Sequence, residues 1–382
     1  MPRVLDRFQL VTEVDTIAAQ RDRVTVKEVA RQAGVSPSTV SRVVNRSGYV
    51  SAEAQVRVRE AIANLNYRPN AVARSLRRDR SQTVGVIFPD ISNPFFMAVG
   101  KGLEERLGPL GYCLLFGSSE ETVEEEVRYL RALLERRVDG IVLASCADDP
   151  GLLRQEIPDG HPLVLVDRRI GVGYADLVKD DDQVGARLAT EYLIAQGHRR
   201  IATITGPRSV STARDRVAGF RQVMSEQGLA VPEPWVLWSN YRVDGGYASA
   251  ETLLGGEGER PTALFVGNNL LTAGVLVWLR EHGWSVPEDL SIVSHADLEF
   301  GDLMDPPLTV VRHNAKEIGL VAADLLIRRL EAGHASVPQR EVVLIPELVV
   351  RGSVACPRPG PIATAQKPPT MNPRRSAPLA GR

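Results

Sequence analysis

From Thr83 to Asp297 the chain alternates short, almost wholly apolar runs with amphipathic ones, in two successive series. In the first, TVGVIFPD, YCLLFGSS, VDGIVLAS and PLVLVD read as strands, with FFMAVGKGLEERLGPLG and VEEEVRYLRALLERR as helices. In the second, the helices GARLATEYLIAQG, ARDRVAGFRQVMSEQG and LLTAGVLVWLREHG alternate with the strands RIATITG, TALFVGN and SIVSHAD. A strand without a polar face must be covered on both sides, and connecting helices supply that cover. The chain is therefore predicted to form two parallel α/β layer sets, closed by the last apolar run, REVVLIPELVVRGSVA.

At 382 residues the chain exceeds one ordinary core. With 43% hydrophobic and 24% charged residues it has the composition of a globular protein. No apolar run approaches the ~20 residues of a membrane span. The first 23 residues carry charges throughout, unlike a secretory leader. Cys113, Cys146 and Cys356 lie far apart, which suits a reducing, cytoplasmic compartment rather than a disulfide framework.

Charge is distributed unevenly. Residues 21–80 carry 13 Lys/Arg against 5 Asp/Glu, a net +8 in a chain whose total is −1. A polyanion-binding module has this character, and so has a solvated basic face. Within the segment, Thr25 and Glu28 have capping-box spacing, and Val26, Val29, Ala30 and Ala33 follow at helical spacing. Gly34 suits a tight turn, Ser36 a helix cap and Pro37 the first helical position. Val40, Val43 and Val44 are expected to face inward, leaving Ser38, Thr39, Ser41, Arg42 and Asn45 outward or at the ends. A third helix is expected after Ser51, running to Leu65, with Val56, Ala61, Ile62 and Leu65 on its apolar side. Two short helices about a glycine turn, the second polar on one face, form a helix-turn-helix; a plain three-helix bundle shares the pattern.

The next residues narrow the choice. The stretch from Val24 to Leu76, VTVKEVARQAGVSPSTVSRVVN followed by VSAEAQVRVREAIANLNYRPNAVARSL, resembles the lactose-repressor (LacI) family of transcription regulators, and the likeness runs over roughly residues 24–353. The resemblance implies that Pro37, Ser38 and Arg42 read base edges, while Thr25, Ser36, Thr39, Ser41 and Asn45 contact phosphates. It implies a hinge helix over Asn70 to Arg77 that folds on the operator, with Asn70, Ala73, Arg74 and Leu76 as DNA contacts and Leu76 wedged into the central base step. An apolar residue flanked by arginines suits such a wedge. The implied fold is an N-terminal all-α helix-turn-helix domain plus a periplasmic-binding-protein-like body of two doubly wound parallel-sheet subdomains. The expected boundaries are an extension over 1–23, the helix-turn-helix over 24–69, the hinge over 70–81, the body over 82–354 and a disordered tail over 355–382. Within the body the first subdomain is expected at about 82–180 and 312–337, and the second at about 181–311 and 338–354.

Ligands of open α/β sheets sit at the carboxyl ends of the strands. There, Phe95 and Phe96 are candidates for an aromatic wall, or for anchoring the helix they open. Asp167 ends a strand, followed by Arg168 and Arg169. By the resemblance, Arg216 grips effector oxygens and Asn268 contacts the effector. The chain also departs from the family pattern. It has Asn268-Asn269 where most members read Asn-Asp, and Ser294-His295-Ala296-Asp297 where an aromatic and an effector-binding aspartate are usual, so that aspartate is Ala296. Asp297 and His313 are candidate substitutes. Neither phosphate-cradling glycine motifs nor metal-ligand or nucleophile-elbow spacings occur, so no enzyme, metal or cofactor is expected. The triple aspartate at 180–182 reads as compensation of a helix dipole. The expected partners are a near-palindromic double-stranded operator, a small sugar-like effector and a second copy of the chain. A transport receptor sharing only the body would lack the DNA-binding block.

Overall fold

The computed structural model describes residues 24–358 apart from 46, 68–79, 172 and 334–336. The expected extension, the hinge-helix contacts Asn70, Ala73, Arg74 and Leu76, and the tail from 359 lie outside the described residues. The chain divides between Ser81 and Gln82 into two compact units.

In the first unit the capping box forms. The Thr25 hydroxyl accepts from the Glu28 amide at 3.4 Å, and the Glu28 carboxylate takes the Thr25 amide at 2.7 Å. Helix α1 (Val26–Ala33) ends at Gly34, whose φ of 63° glycine adopts without a Cβ penalty. The Ser36 hydroxyl accepts from the Thr39 amide at 3.1 Å and starts α2 (Pro37–Asn45). Ser51 caps α3 (Ala52–Asn64). Val29, Ala30, Ala33, Val40, Val58, Ala61 and Tyr67 form the core between the three helices. Val56, expected on the apolar side of α3, is 53% exposed. The inward stripe is Ala54, Val58 and Ala61, and Val56, two residues past Ala54, points about 200° away from it.

The second unit begins with β1 (Thr83–Phe88), α4 (Pro94–Leu107), β2 (Cys113–Ser118), α5 (Val123–Glu135), β3 (Gly140–Leu143), α6 (Pro150–Glu156), β4 (Leu163–Val166) and β5 (Asp176–Asp180). It continues with α7 (Asp182–Ala195), β6 (Ile201–Thr205), α8 (Ser211–Glu226), β7 (Val236–Trp238), α9 (Val243–Leu254), β8 (Ala263–Val266), α10 (Asn269–Glu281), β9 (Ser291–His295) and β10 (Thr309–Arg312). It closes with α11 (Ala315–Ala332), β11 (Glu341–Leu344) and β12 (Glu347–Val349). Two six-stranded sheets result, ordered β11-β5-β4-β3-β1-β2 and β12-β10-β9-β8-β6-β7. All pairings are parallel except β12 against β10. Each sheet with its helices is a lobe with its own buried clusters.

The chain crosses between lobes after Asp180, at His313-Asn314 and at Ile345-Pro346. The final apolar run is thus split. Glu341–Leu344 pairs with β5 in the first lobe, not the second as the boundary at 337 implied, and only Glu347–Val349 joins the second. Proline lacks the amide a strand needs, and Pro346 breaks the run between the two sheets. Ordered packing also continues past 354, because the Ala355 amide donates to Ser291 Oγ at 3.1 Å and the Ala355 carbonyl meets His198 Nε2 at 2.9 Å. Helices α4 and α11 touch through backbone, since a Cβ on Gly319 would run into the Val99 carbonyl. No helix among the described residues is long and apolar enough to cross a membrane.

Candidate functional site

On the first unit, the polar face of α2 is arranged for contact. Ser36, Pro37, Ser38 and Arg42 are exposed, with Ser41, Thr39 and Asn45 partly so. The Ser36 hydroxyl lies 2.7 Å from that of Ser38 and 2.9 Å from that of Thr39, so three hydroxyls cluster at the start of α2, where backbone N–H groups favour an anion. Arg42 stands on the same helix, its stem passing Gly48, which turns at φ 71°. Two expected phosphate contacts are already engaged. The Thr25 hydroxyl donates to Glu28 at 3.0 Å, and the Asn45 amide donates to the Ser41 carbonyl at 2.7 Å.

On the second unit, the carboxyl ends of both sheets face each other across a cleft. It brings together Phe95, Phe96, Asp167, Arg216, Asn268 and His313. The lobes close on about 50 Å³ of free space, room for only a few water molecules, so a sugar-sized ligand enters when the lobes part. The two phenylalanines divide their roles. Phe96 is buried in the first lobe's core, and Phe95 meets the His313 ring edge-on at 5.1 Å. Asp297 is not a lining residue. Arg351 takes its carboxylate at 3.0 and 2.7 Å, so it does not replace the missing aspartate. Ala296 occupies that corner with only a methyl group, at φ 83°.

Arg216 is 5% exposed. Its Nε donates to Asp182 Oδ1 at 2.8 Å and its Nη1 to the Gly267 carbonyl, which fixes the guanidinium plane. Its Nη2 also lies 2.8 Å from Asp182 Oδ1, so of its five N–H donors one on each Nη is left for a ligand. Asn268 caps α10 by accepting from the Leu271 amide at 2.7 Å, which leaves its Nδ2 as a free donor. Asp167, 8% exposed and in the left-handed region at φ 64°, accepts no hydrogen bond among the described residues, and Arg168 Nε stands 3.8 Å away. Burial, then the neighbouring Asp182 charge, push its pKa up to about 6. Buried donors thus share the cleft with a carboxylate that accepts no hydrogen bond among the described residues.

The sequence singles out neither Arg168 nor Tyr241 as cleft residues, yet both line it. Arg168 grips Glu121 with both Nη atoms, at 2.8 and 2.7 Å, and lies 5.7 Å over the Tyr241 ring of the other lobe. Asn93 and Asn269 exchange amide hydrogen bonds of 3.3 and 3.1 Å across the lobes. The triple aspartate also divides: Asp181 caps α7, Asp182 holds Arg216, and Asp180 turns to His313 and Asn314. Among the described residues no group of side chains is set to hold a metal ion.

A helix-turn-helix unit followed by a two-lobed body with a polar cleft defines a ligand-controlled DNA-binding regulator. The comparisons agree with that class. Residues 25–70 match the bacterial regulatory proteins of the lacI family, and residues 190–354 match the periplasmic binding protein-like domain. The chain is 36% identical over 332 residues to the ribose operon repressor of Escherichia coli (strain K12), covering 86% of this chain and 99% of that one. It is also 36% identical over 333 residues to the HTH-type transcriptional repressor PurR of Vibrio campbellii, covering 86% and 98%. The crystal structure of the Lac repressor dimer bound to operator and the anti-inducer ONPF matches at a TM-score of 0.76 and 28% identity, over 87% of this chain and 99% of that one. The chain belongs to the lacI family. It is a DNA-binding transcriptional regulator of the repressor type, controlled by a small-molecule effector, and not an enzyme.

Proposed function

We propose that this regulator acts in the cytoplasm as a homodimer on a near-palindromic operator, and that its effector is a neutral, polyhydroxylated molecule of sugar type. The observation that carries the effector class is the Asp167 carboxylate, which accepts no hydrogen bond among the described residues and lines the cleft with Arg216 and Asn268. Vicinal hydroxyls donate to Asp167, and their oxygens accept from the guanidinium and the amide. An anionic ligand does not suit the charge balance, because Arg216 and Arg168 are each already matched by a carboxylate. The name of the ribose operon repressor makes pentoses the first class to try. Two-fold DNA symmetry calls for a two-fold protein. A dimer is supported by the exposed Met97, Leu110 and Phe116 on the first lobe and by the dimeric Lac repressor.

The test is selection of bound sequences from random DNA, repeated with D-ribose and a panel of other sugars and polyols. Two half-sites are expected, with a shift of operator affinity of roughly 1–3 kcal/mol by one sugar. Enrichment of a lone half-site, bound by a monomer at full affinity, overturns the dimer. A response to acids but not to polyols overturns the effector class.

A pH dependence follows from Asp167. Only the carboxylate accepts two hydroxyls, so sugar affinity is expected to be level above pH 7. Below about 6 it should fall about tenfold per unit. The raised pKa also means that Asp167 favours folding only while protonated, and that contribution is lost as the pH rises through about 6. Asp167→Asn is thus expected to raise the unfolding temperature at pH 7.5 while abolishing sugar binding in calorimetry. A variant that binds normally shows that Asp167 is not an anchor.

A further inference from the structure

One cluster of side chains ties together all three crossovers between the lobes. Asp180, at the end of β5, accepts from His313 Nδ1 at 2.7 Å, from the Asn314 amide at 3.3 Å and from the Asn314 side chain at 3.2 Å. Asn314 Nδ2 also reaches the Ile345 carbonyl at 3.0 Å. His313 Nε2 in turn meets Nδ1 of His295, the last residue of β9 in the second lobe, at 2.8 Å. His295 is fully buried and its Nε2 has no hydrogen-bond partner among the described residues, with Asp182 Oδ1 at 3.9 Å. A chain of polar groups thus runs from the crossovers to the carboxylate that holds Arg216.

Counting hydrogens shows what this chain permits. Asp180 accepts both Asn314 bonds, and with its carboxylate also the acceptor at 2.7 Å, His313 Nδ1 carries a hydrogen. Between His313 Nε2 and His295 Nδ1 there is room for one hydrogen. If His295 supplies it and carries none on Nε2, both rings are neutral; a second hydrogen on that Nε2 gives the pair one charge and sets an N–H toward Asp182. If His313 supplies it, the pair carries one charge, and the hydrogen of His295 sits on Nε2, turned toward Asp182. Protonating both rings sets two N–H groups against each other, and the bond is lost. Asp180, Asp182, Asp167 and Arg216 are the charged groups facing the pair, and Phe95 and Phe265 close its sides.

We propose that His313 and His295 are positioning residues of the effector switch: the single hydrogen shared by their rings holds the second lobe against the crossovers, and a second hydrogen on the fully buried His295 ring, a charge that burial disfavours, releases it. This rests on the proposal that an effector bound between the lobes controls operator affinity. Burial, then the Arg216 and His313 charges, hold the pKa of His295 well below the ordinary histidine range. With the lobes parted the ring meets water and titrates near the ordinary value of about 6.5. The closed form is therefore fully favoured above that value and is lost as the pH falls below it.

Amide hydrogen exchange on the unliganded full-length protein tests this, read by mass spectrometry at pH 7.5 and 5.5 and corrected for intrinsic rates. In wild type, peptides spanning Asp180–Asp182, His313–Asn314 and Ile345–Pro346 are expected to lose protection by about tenfold at the lower pH, while β1 does not. His295→Asn places an amide donor near the position of Nδ1 but takes up no proton, so its crossovers should stay protected at both values. His295→Phe keeps the ring without the bond, and its crossovers should exchange faster at both, with no pH dependence. Level protection in wild type, a pH-dependent loss retained in His295→Asn, or a loss in wild type that β1 shares overturns the proposal. Because no effector is present, such a failure leaves the cleft assignment standing. A protein that answers no sugar leaves these exchange results unchanged.

Discussion

Arg216→Ala should abolish effector control and also cost the body about 3–5 kcal/mol, the usual penalty for stripping one partner from a buried ion pair. Both effects have one cause. Asp182 is 1% exposed and spends its Oδ1 on the guanidinium, so removing Arg216 leaves a buried carboxylate facing His295 and Lys179. The same guanidinium is the fixed donor that a sugar oxygen would meet in the cleft. Urea unfolding reads the first effect; calorimetry and operator titration, with the sugar that shifts wild-type affinity, read the second. Arg216→Lys keeps the charge but not the planar fork, and should recover more of the stability than of the binding. An alanine variant with an unchanged urea midpoint, or one that binds the sugar as tightly as wild type, contradicts the pairing and the anchor respectively.

Arg42→Ala should weaken specific operator binding by about 1–3 kcal/mol and relax the preference at one base position per half-site. Arg42 is the one long cationic side chain of α2, on a face otherwise made of serine and threonine, and it is exposed. Short hydroxyl residues let the helix approach the backbone closely, and a guanidinium reaches past them to a guanine edge. The folded unit should be indifferent to the change, because the core of Val29, Val40 and Val58 lies on the other side. Titrations of the selected operator and of random DNA at one salt concentration distinguish the roles. Equal losses on both would assign Arg42 to phosphate instead.

How much was legible in advance depends on how far apart the cooperating residues are. The capping box at Thr25, the turn at Gly34 and the caps at Ser36 and Ser51 involve groups within four residues of each other, so local chemistry sets them. The strand–helix alternation is equally local, and it specified two parallel sheets. Short or polar strands such as β5 and β7 fall outside that alternation; their pairing partners, not their own patterns, make them regular. Position at a strand end pointed to Asp167, and resemblance to Arg216 and Asn268, but neither could say which were free. Arg216 is largely held by Asp182, whereas Asp167 has only Arg168 Nε at 3.8 Å and no hydrogen bond among the described residues.

Sequence by itself determined the class of the two units, the polar face of α2 and the absence of a carboxylate at Ala296. Only the tertiary structure decided that Asp297 is taken by Arg351, that Phe96 belongs to the core while Phe95 faces the cleft, and that EVVLIPELVV is shared between two sheets. It alone brings His295 to His313, at the ends of adjacent parallel strands, and both to Asp180 at the end of the other sheet. The physical reason is that hydrogen-bond and charge partners are chosen by distance in space. A parallel sheet brings together side chains separated by whole crossovers, and no local periodicity records that choice.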